Sequence, residues 1–264
     1  YLLILVVIRF LSIHSAFKVM FRSFNVFLRL FGIDIYRFVS SILSTPWYIR
    51  QYIHYTHKQR DSSFQIGLYP ILFDRTEPAS SLGEYFWQDL FVAERVILLN
   101  PTRHVDIGSR IDGFVSHLAC VRQVEIFDVR PLPVNINNVS FTQWDITEPN
   151  PALFGMYDCV TCLHTLEHIG LGRYGDQLDP DGWSKALASL SRLLQPQGIL
   201  LLSVPIGIQR VEFNAHRVFH PTTIVRQALE NSMVLSDFHY LSDSGHFINS
   251  DFSEFDFLST QRYN

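Results

Sequence analysis

His104-Val-Asp-Ile-Gly-Ser-Arg-Ile-Asp-Gly113 reads as a short apolar strand that runs into an acid and a glycine turn, with a helix-like segment after it. The next apolar strand, Val124-Glu-Ile-Phe-Asp-Val129, ends on a second acid, Asp128. That acid falls about twenty residues after the turn, the distance at which a nucleotide-binding βαβ unit meets a ribose. Glycine at 108 lets backbone approach a ligand where a Cβ would collide. A strand-tip carboxylate accepts hydrogen bonds from two ribose hydroxyls.

Outward from this pair, strands are expected at 104–108, 124–129, 139–144, 157–163, 198–204 and 234–241, with a further apolar stretch at 247–257. Helices are expected at 111–121, 181–194 and 221–231 between them. Apolar runs alternating with helices predict an α/β fold: a Rossmann-like, doubly wound, mostly parallel sheet of seven strands with helices on both faces. Such sheets bind ligands beyond the carboxyl ends of their strands. The residues expected there are Asp106, Gly108, Arg110, Asp128, Asp145 and two long polar loops, 164–179 and 205–220.

The amino-terminal part has a different character. From Arg9 to Arg60 the basic residues face one acid, Asp34, whereas the whole chain of 264 residues has a formal net charge of −4. That balance gives no general case for nucleic acid as a partner. Residues 1–60 read as a helical segment broken near Gly32 and at Pro46, 61–100 as a connector with a capping helix, and 101–264 as the catalytic-type domain. Ser81-Leu-Gly-Glu84 fits a capping box ahead of that helix. Tyr1 to Ile8 is wholly apolar and has no initiator methionine, so further sequence upstream is expected. Arg9 cuts this run short of the roughly 20 residues a bilayer span needs. Lys18, Arg22 and Arg29 among Phe17, Phe21, Phe24, Phe27 and Phe31 fit a basic amphipathic helix on a membrane surface through residues 1–40. They fit equally a helix packed on protein. The three cysteines make no disulfide framework and point to a reducing, cytoplasmic setting, peripheral to a membrane if the basic segment lies on one. Cys159 and Cys162 read as core residues of a buried strand.

The absence of a Gly-x-Gly-x-x-Gly at the strand-to-helix turn argues against a pyrophosphate cradle, and favours S-adenosylmethionine over a dinucleotide. Taken in order, Val105-Asp-Ile-Gly108, Glu125-Ile-Phe-Asp128, Gln143-Trp-Asp145, the segment Tyr157 to His168 and the segment Leu193 to Ser203 resemble class I S-adenosylmethionine-dependent methyltransferases. More narrowly, Gln88-Asp89, the segments Asp106 to Phe114 and Leu163 to Asp176, and Phe213-Asn-Ala-His-Arg-Val-Phe-His-Pro221 resemble the family termed domain of unknown function 268. The resemblance implies a cofactor site at Asp106, Gly108, Arg110, Asp128 and Asp145. It departs from the usual glycine turn at Arg110 and Asp112, which would cover, contact or block the pocket.

His216 is the preferred general base, with His164 and Glu167 as further catalytic candidates. His168, Arg173, Asp176, Asn214, Arg217 and His220 are candidate contacts for a small polar or saccharide-type acceptor. His220-Pro221 also fits a helix start. His164-Thr-Leu-Glu-His168 matches the H-x-x-E-H of zinc peptidases, but the glycines that follow speak against the helix that chemistry needs, and no metal is expected. Gly170-Leu-Gly-Arg-Tyr-Gly175 reads as a flexible substrate loop. The competing readings are a catalytically inactive, methyltransferase-like binding module in cell-envelope polysaccharide assembly and, behind it, a metal-dependent hydrolase.

Overall fold

The structure, a computed structural model, describes residues 24–58, 66–72, 83–241 and 247–250. The chain divides into two compact units, Tyr1–Ser81 and Leu82–Asn264. In the first unit, α1 (Ile35–Lys58) begins where the Asp34 carboxylate accepts from the backbone N–H groups of Tyr36 (3.0 Å) and Arg37 (3.2 Å). The expected break near Gly32 is present, with Gly32 at φ +76. The break expected at Pro46 is not, because proline removes one N–H donor and the helix continues on both sides of it. Residues 1–23, which carry most of the basic aromatic segment, lie outside the described residues. Among those described, no helix is long and apolar enough to cross a membrane.

The second unit opens with α2 (Glu84–Leu99), whose N-cap is Gly83 with no side-chain cap. Glu84 is therefore the first helical residue and not the third, so the capping-box register is not used. Val92, Ala93 and Val96 of α2 are buried in the same apolar cluster as Val124, Ile126, Cys159 and Leu163, so this helix packs on the sheet.

Five strands make the central sheet: β1 (His104–Ile107), β2 (Val124–Asp128), β3 (Val139–Gln143), β4 (Tyr157–Leu163) and β5 (Leu194–Ser203). Their order is β3-β2-β1-β4-β5, and every pairing is parallel. Strand alternation sorts the core into two faces. Ile126 and Cys159 face α2 and α3 (Ser116–Ala119). Phe127 and Val160 face α4 (Gly182–Leu193) through Ala186, Leu187, Leu190 and Leu193. The sheet is thus covered on both sides, as its apolar strands require.

Seven strands are not joined among the described residues. Two antiparallel pairs stand apart from the sheet: β6 (Arg210–Glu212) with β7 (His216–Val218), and β8 (His239–Leu241) with β9 (Phe247–Asn249). Within 234–241 only the last three residues form a strand, and Val234 and Leu235, which an inner strand would bury, are exposed. Helix α5 (Pro221–Glu230) lies between the two pairs. The expected helix at 111–121 is a wide turn at Ile111–Val115 that runs into α3, with Gly113 at φ −116, ψ −113.

Candidate functional site

A cavity of about 330 Å³ opens at the carboxyl ends of the strands. Strands β1 and β4 are neighbours although β2 and β3 separate them in sequence, so the loops that follow them leave in opposite directions and open a crevice. Its wall comprises Gly108 to Arg110 after β1, Asp128 to Arg130 at the tip of β2, Trp144 to Ile146 after β3, and His164, Thr165 and Glu167 to Ile169 after β4.

The turn after β1 is pinned. Gly108 has φ +72 and donates its N–H to Phe127 O at 2.9 Å. A Cβ there would stand 2.5 Å from Thr165 Cγ2, so only glycine fits. Asp106, expected to hold cofactor, does not line the cavity. Its carboxylate is fully buried and accepts from Ser109 N–H (3.1 Å), the Ser109 hydroxyl (2.7 Å) and the Thr161 hydroxyl (2.6 Å). Burial pushes this carboxyl up to about 6. Its role is to brace the turn that carries Gly108. Arg110 reaches the rim, and its guanidinium forms a two-pronged pair with Asp112 (3.0 and 2.6 Å) in which both side chains are more than half exposed.

Asp128 lines the cavity, and Arg130 lies on it. The Asp128 carboxylate accepts from Arg130 N–H (2.8 Å), Nε (3.0 Å) and Nη2 (2.6 Å). The same guanidinium sits 4.6 Å over the Tyr174 ring, which brings the 170s loop to the β2 tip. Asp145 lines the third side, one of its oxygens turned back onto Thr147 N–H (2.9 Å) and hydroxyl (2.7 Å). Trp144 packs edge-on against Phe127, 5.4 Å between centroids.

After β4 the backbone turns at once, with His164 at φ +49, and residues 164–168 form turns and no helix. The two histidines of the H-x-x-E-H pattern therefore do not share a helical face. Among the described residues no three His, Cys, Asp or Glu side chains are grouped to hold a metal ion. Glu167 is 1 % exposed, and Oε2 has no hydrogen-bond partner among the described residues. Oε1 lies 3.5 Å from His164 Nδ1 and 3.8 Å from His168 Nε2. Nδ1 of His168 is 2.6 Å from Ala215 O. A carbonyl only accepts, so that nitrogen carries the proton. Burial holds the His168 imidazole below its ordinary range. His164 stacks on Tyr85 at 4.2 Å, and His216 lines the cavity with its ring 6.4 Å from that of His168. Arg173, also on the wall, donates to Ala215 O at 3.0 Å. Asp176 accepts from the N–H groups of Gly170, Gly172 and Tyr174, which shapes the loop.

Besides Asp106, three candidates stand outside the cavity wall. Asn214 is exposed. Arg217 is buried and donates to the backbone oxygens of Ile169 (2.6 Å) and Pro180 (3.3 Å), bracing the 170s loop from behind. His220 is the N-cap of α5, where its Nδ1 accepts from Thr222 N–H at 3.3 Å. Sequence reasoning missed Tyr85, Gln88 and Asp89 of α2, all of which line the cavity. Asp89 accepts from Phe114 N–H at 3.1 Å, and its carboxylate occupies the space a Cβ at Gly113 would need. The unexplained Gln88-Asp89 pair and the glycine at 113 were the signal. Cys159 and Cys162 are buried and free, and burial pushes the Cys159 thiol up to about 12.

Residues 132–261 match the DUF268 family. Its description is "Caenorhabditis protein of unknown function", and the match takes in the loop after β4 and the β6–β7 pair. The turn at Gly108 and the tip of β2 precede the DUF268 match. A comparison with curated proteins finds no match. Among solved structures, the chain is similar to an O-methyltransferase family protein from Burkholderia thailandensis, at 13% identity over 61% of this chain and 53% of that one, TM-score 0.43. It is also similar to the 1,6-didemethyltoxoflavin-N1-methyltransferase of the same organism, solved with its namesake compound and S-adenosylhomocysteine (16% identity, 61% and 76%, TM-score 0.44). A third is magnesium protoporphyrin IX methyltransferase from Synechocystis PCC 6803 with bound S-adenosylhomocysteine (14% identity, 63% and 81%, TM-score 0.45). The chain spans about half the length of the first of these. At these identities the likeness is one of fold.

Proposed function

We propose that this protein is an S-adenosylmethionine-dependent methyltransferase that acts on a small polar or saccharide-type acceptor. The observation that carries the reading is the convergence of Gly108, Asp128 and Asp145, from three adjacent strand ends, on one cavity at the point where the strand order reverses. The residues present fit the cofactor. Gly108 offers bare backbone at the turn, Asp128 would receive the ribose hydroxyls, and Asp145 would meet the adenine edge. When bound, the cofactor supplies an activated methyl group on a sulfonium. The protein's part is to align the acceptor and receive its proton. His164, Glu167, His168 and His216, neighbours on the same cavity wall, are the residues for that part, with Arg173 and Asp176 of the 170s loop beside them. Membrane-surface contact through residues 1–40 of a cytoplasmic protein is the accompanying proposal, and charge supports it: that stretch carries Arg9, Lys18, Arg22, Arg29 and Arg37 against the single acid Asp34.

One observation favours the second reading, a non-catalytic binding module. Arg130 already engages both oxygens of Asp128, so a ribose must displace it or share the carboxylate. Thermal melts with S-adenosylhomocysteine and with NAD test the first reading. A melting temperature raised by S-adenosylhomocysteine alone is expected. Equal stabilisation by both, or by NAD alone, would replace the cofactor.

A further inference from the structure

Polar groups sealed inside proteins are nearly always paired, and an unpaired carboxylate oxygen is costly. Glu167 breaks that rule on the wall of the cavity, with Oε2 unpartnered among the described residues. It is held there by its neighbours: Arg217 donates its backbone N–H to Glu167 O at 2.9 Å and Nη1 to Ile169 O at 2.6 Å. Beside it, His168 has its Nδ1 proton committed to Ala215 O, so a neutral ring turns the lone pair of Nε2 toward Glu167 Oε1 at 3.8 Å. Two acceptors that face each other beyond hydrogen-bonding distance repel unless a donor lies between them. Tyr85 packs on His164 and Tyr174 on His168, so an aromatic ring flanks each of the two histidines.

We propose that Glu167 and His168 form the acceptor subsite, in which Nε2 of His168 takes the proton of an acceptor O–H or N–H while Glu167 Oε2 holds a second donor on the same molecule. The ligand is thus a hydroxyl or amine compound. A carboxylate acceptor would bring a like charge against Glu167 and offer no donor. His168, and not His216, is then the base. This deepens the methyltransferase reading and rests on it for the chemical step. There the acceptor's O–H or N–H bond breaks and its proton goes to Nε2. Its electron pair forms the bond to the methyl group, whose bond to sulfur leaves as a sulfur lone pair.

The test is long-range ¹H–¹⁵N NMR of the histidine rings in the full chain, titrated with ethanolamine, glycerol and acetate. His168 should report the Nδ1–H tautomer, and ethanolamine or glycerol should shift its Nε2 signal. A response to glycerol marks a hydroxyl ligand, and one confined to ethanolamine an amine. Glu167→Gln should raise the probe concentration needed by about tenfold, the loss of one charge-assisted hydrogen bond. His168→Gln removes the ring that is followed and so assigns its signal, and both variants should keep a cooperative thermal melt. An Nε2–H tautomer, an equal response to acetate, no response to either donor, or an undiminished response in Glu167→Gln would overturn the proposal. Titrating the same samples with S-adenosylhomocysteine separates the two ideas. Donor binding without it removes only the methyl-transfer step, and its binding without a donor response removes only this subsite.

Discussion

Asp106, near the end of β1, and Glu167, in the loop after the neighbouring β4, are both carboxylates shut away from solvent, yet their surroundings are opposite. Asp106 is met by three donors, Ser109 N–H, the Ser109 hydroxyl and the Thr161 hydroxyl. Glu167 has an oxygen with no partner among the described residues and two imidazoles beyond hydrogen-bonding distance or at its limit. A satisfied buried cluster fixes a backbone shape; an unsatisfied one on a cavity wall is completed by what binds. The crevice between β1 and β4 therefore has a rigid side, built around Gly108, and a receptive side, built around Glu167.

The contrast breaks hardest at Gly108. Gly108→Val combines positive-φ strain with a clash against Thr165, and should cost about 4 kcal/mol in urea unfolding. A loss under about 1 kcal/mol would show the turn to be adaptable. Next comes Asp106. Its folded carboxyl titrates at about 6, above its unfolded value, so its contribution is fully present in acid and is lost as pH rises through about 6. Asp106→Asn keeps the shape and removes the titration. Between about pH 3 and about pH 8 the stability of wild type relative to this variant should fall by up to about 3 kcal/mol, followed by denaturant melts at each pH. A pH-independent difference would mean that the three donors offset the burial. Asp128→Ala should leave stability nearly intact and weaken S-adenosylhomocysteine by roughly tenfold to a hundredfold in calorimetry. The smallest effect belongs to Arg110→Ala. An exposed pair with Asp112 carries little stability, so the melting temperature and the affinity should both stay unchanged. A tighter ligand in that variant would mean that Arg110 covers the mouth.

Much of the rigid side was legible in the chain. The apolar runs ending at Ile107, Asp128 and Leu163 are parallel strands because both of their faces are covered, and continuous apolar runs signal that burial. Gly108, Asp128 and Asp145 fall on the cavity because strand ends and glycine turns are local features. What was not legible depends on partners distant in sequence. Asp106 looked like a ligand contact, but Thr161, on another strand, draws it inward. Asp89 reaches Phe114 across 25 positions. Arg217 and His220 carried site-like chemistry and were used as a brace and a cap, roles settled by the carbonyls of Ile169 and Pro180 and by the N–H of Thr222. Of the sixth and seventh strands expected at 234–241 and 247–257, His239–Leu241 and Phe247–Asn249 pair with each other and not with the sheet, and 251–257 lies outside the described residues.

The central claim is that a nucleoside lies across the tips of β1, β2 and β3. Isothermal titration of the full chain with S-adenosylhomocysteine tests it most directly. The account predicts saturable one-site binding in wild type that is strongly weakened in Asp128→Ala and unchanged in Arg110→Ala. No heat at millimolar ligand, or equal binding by wild type and Asp128→Ala, would contradict it.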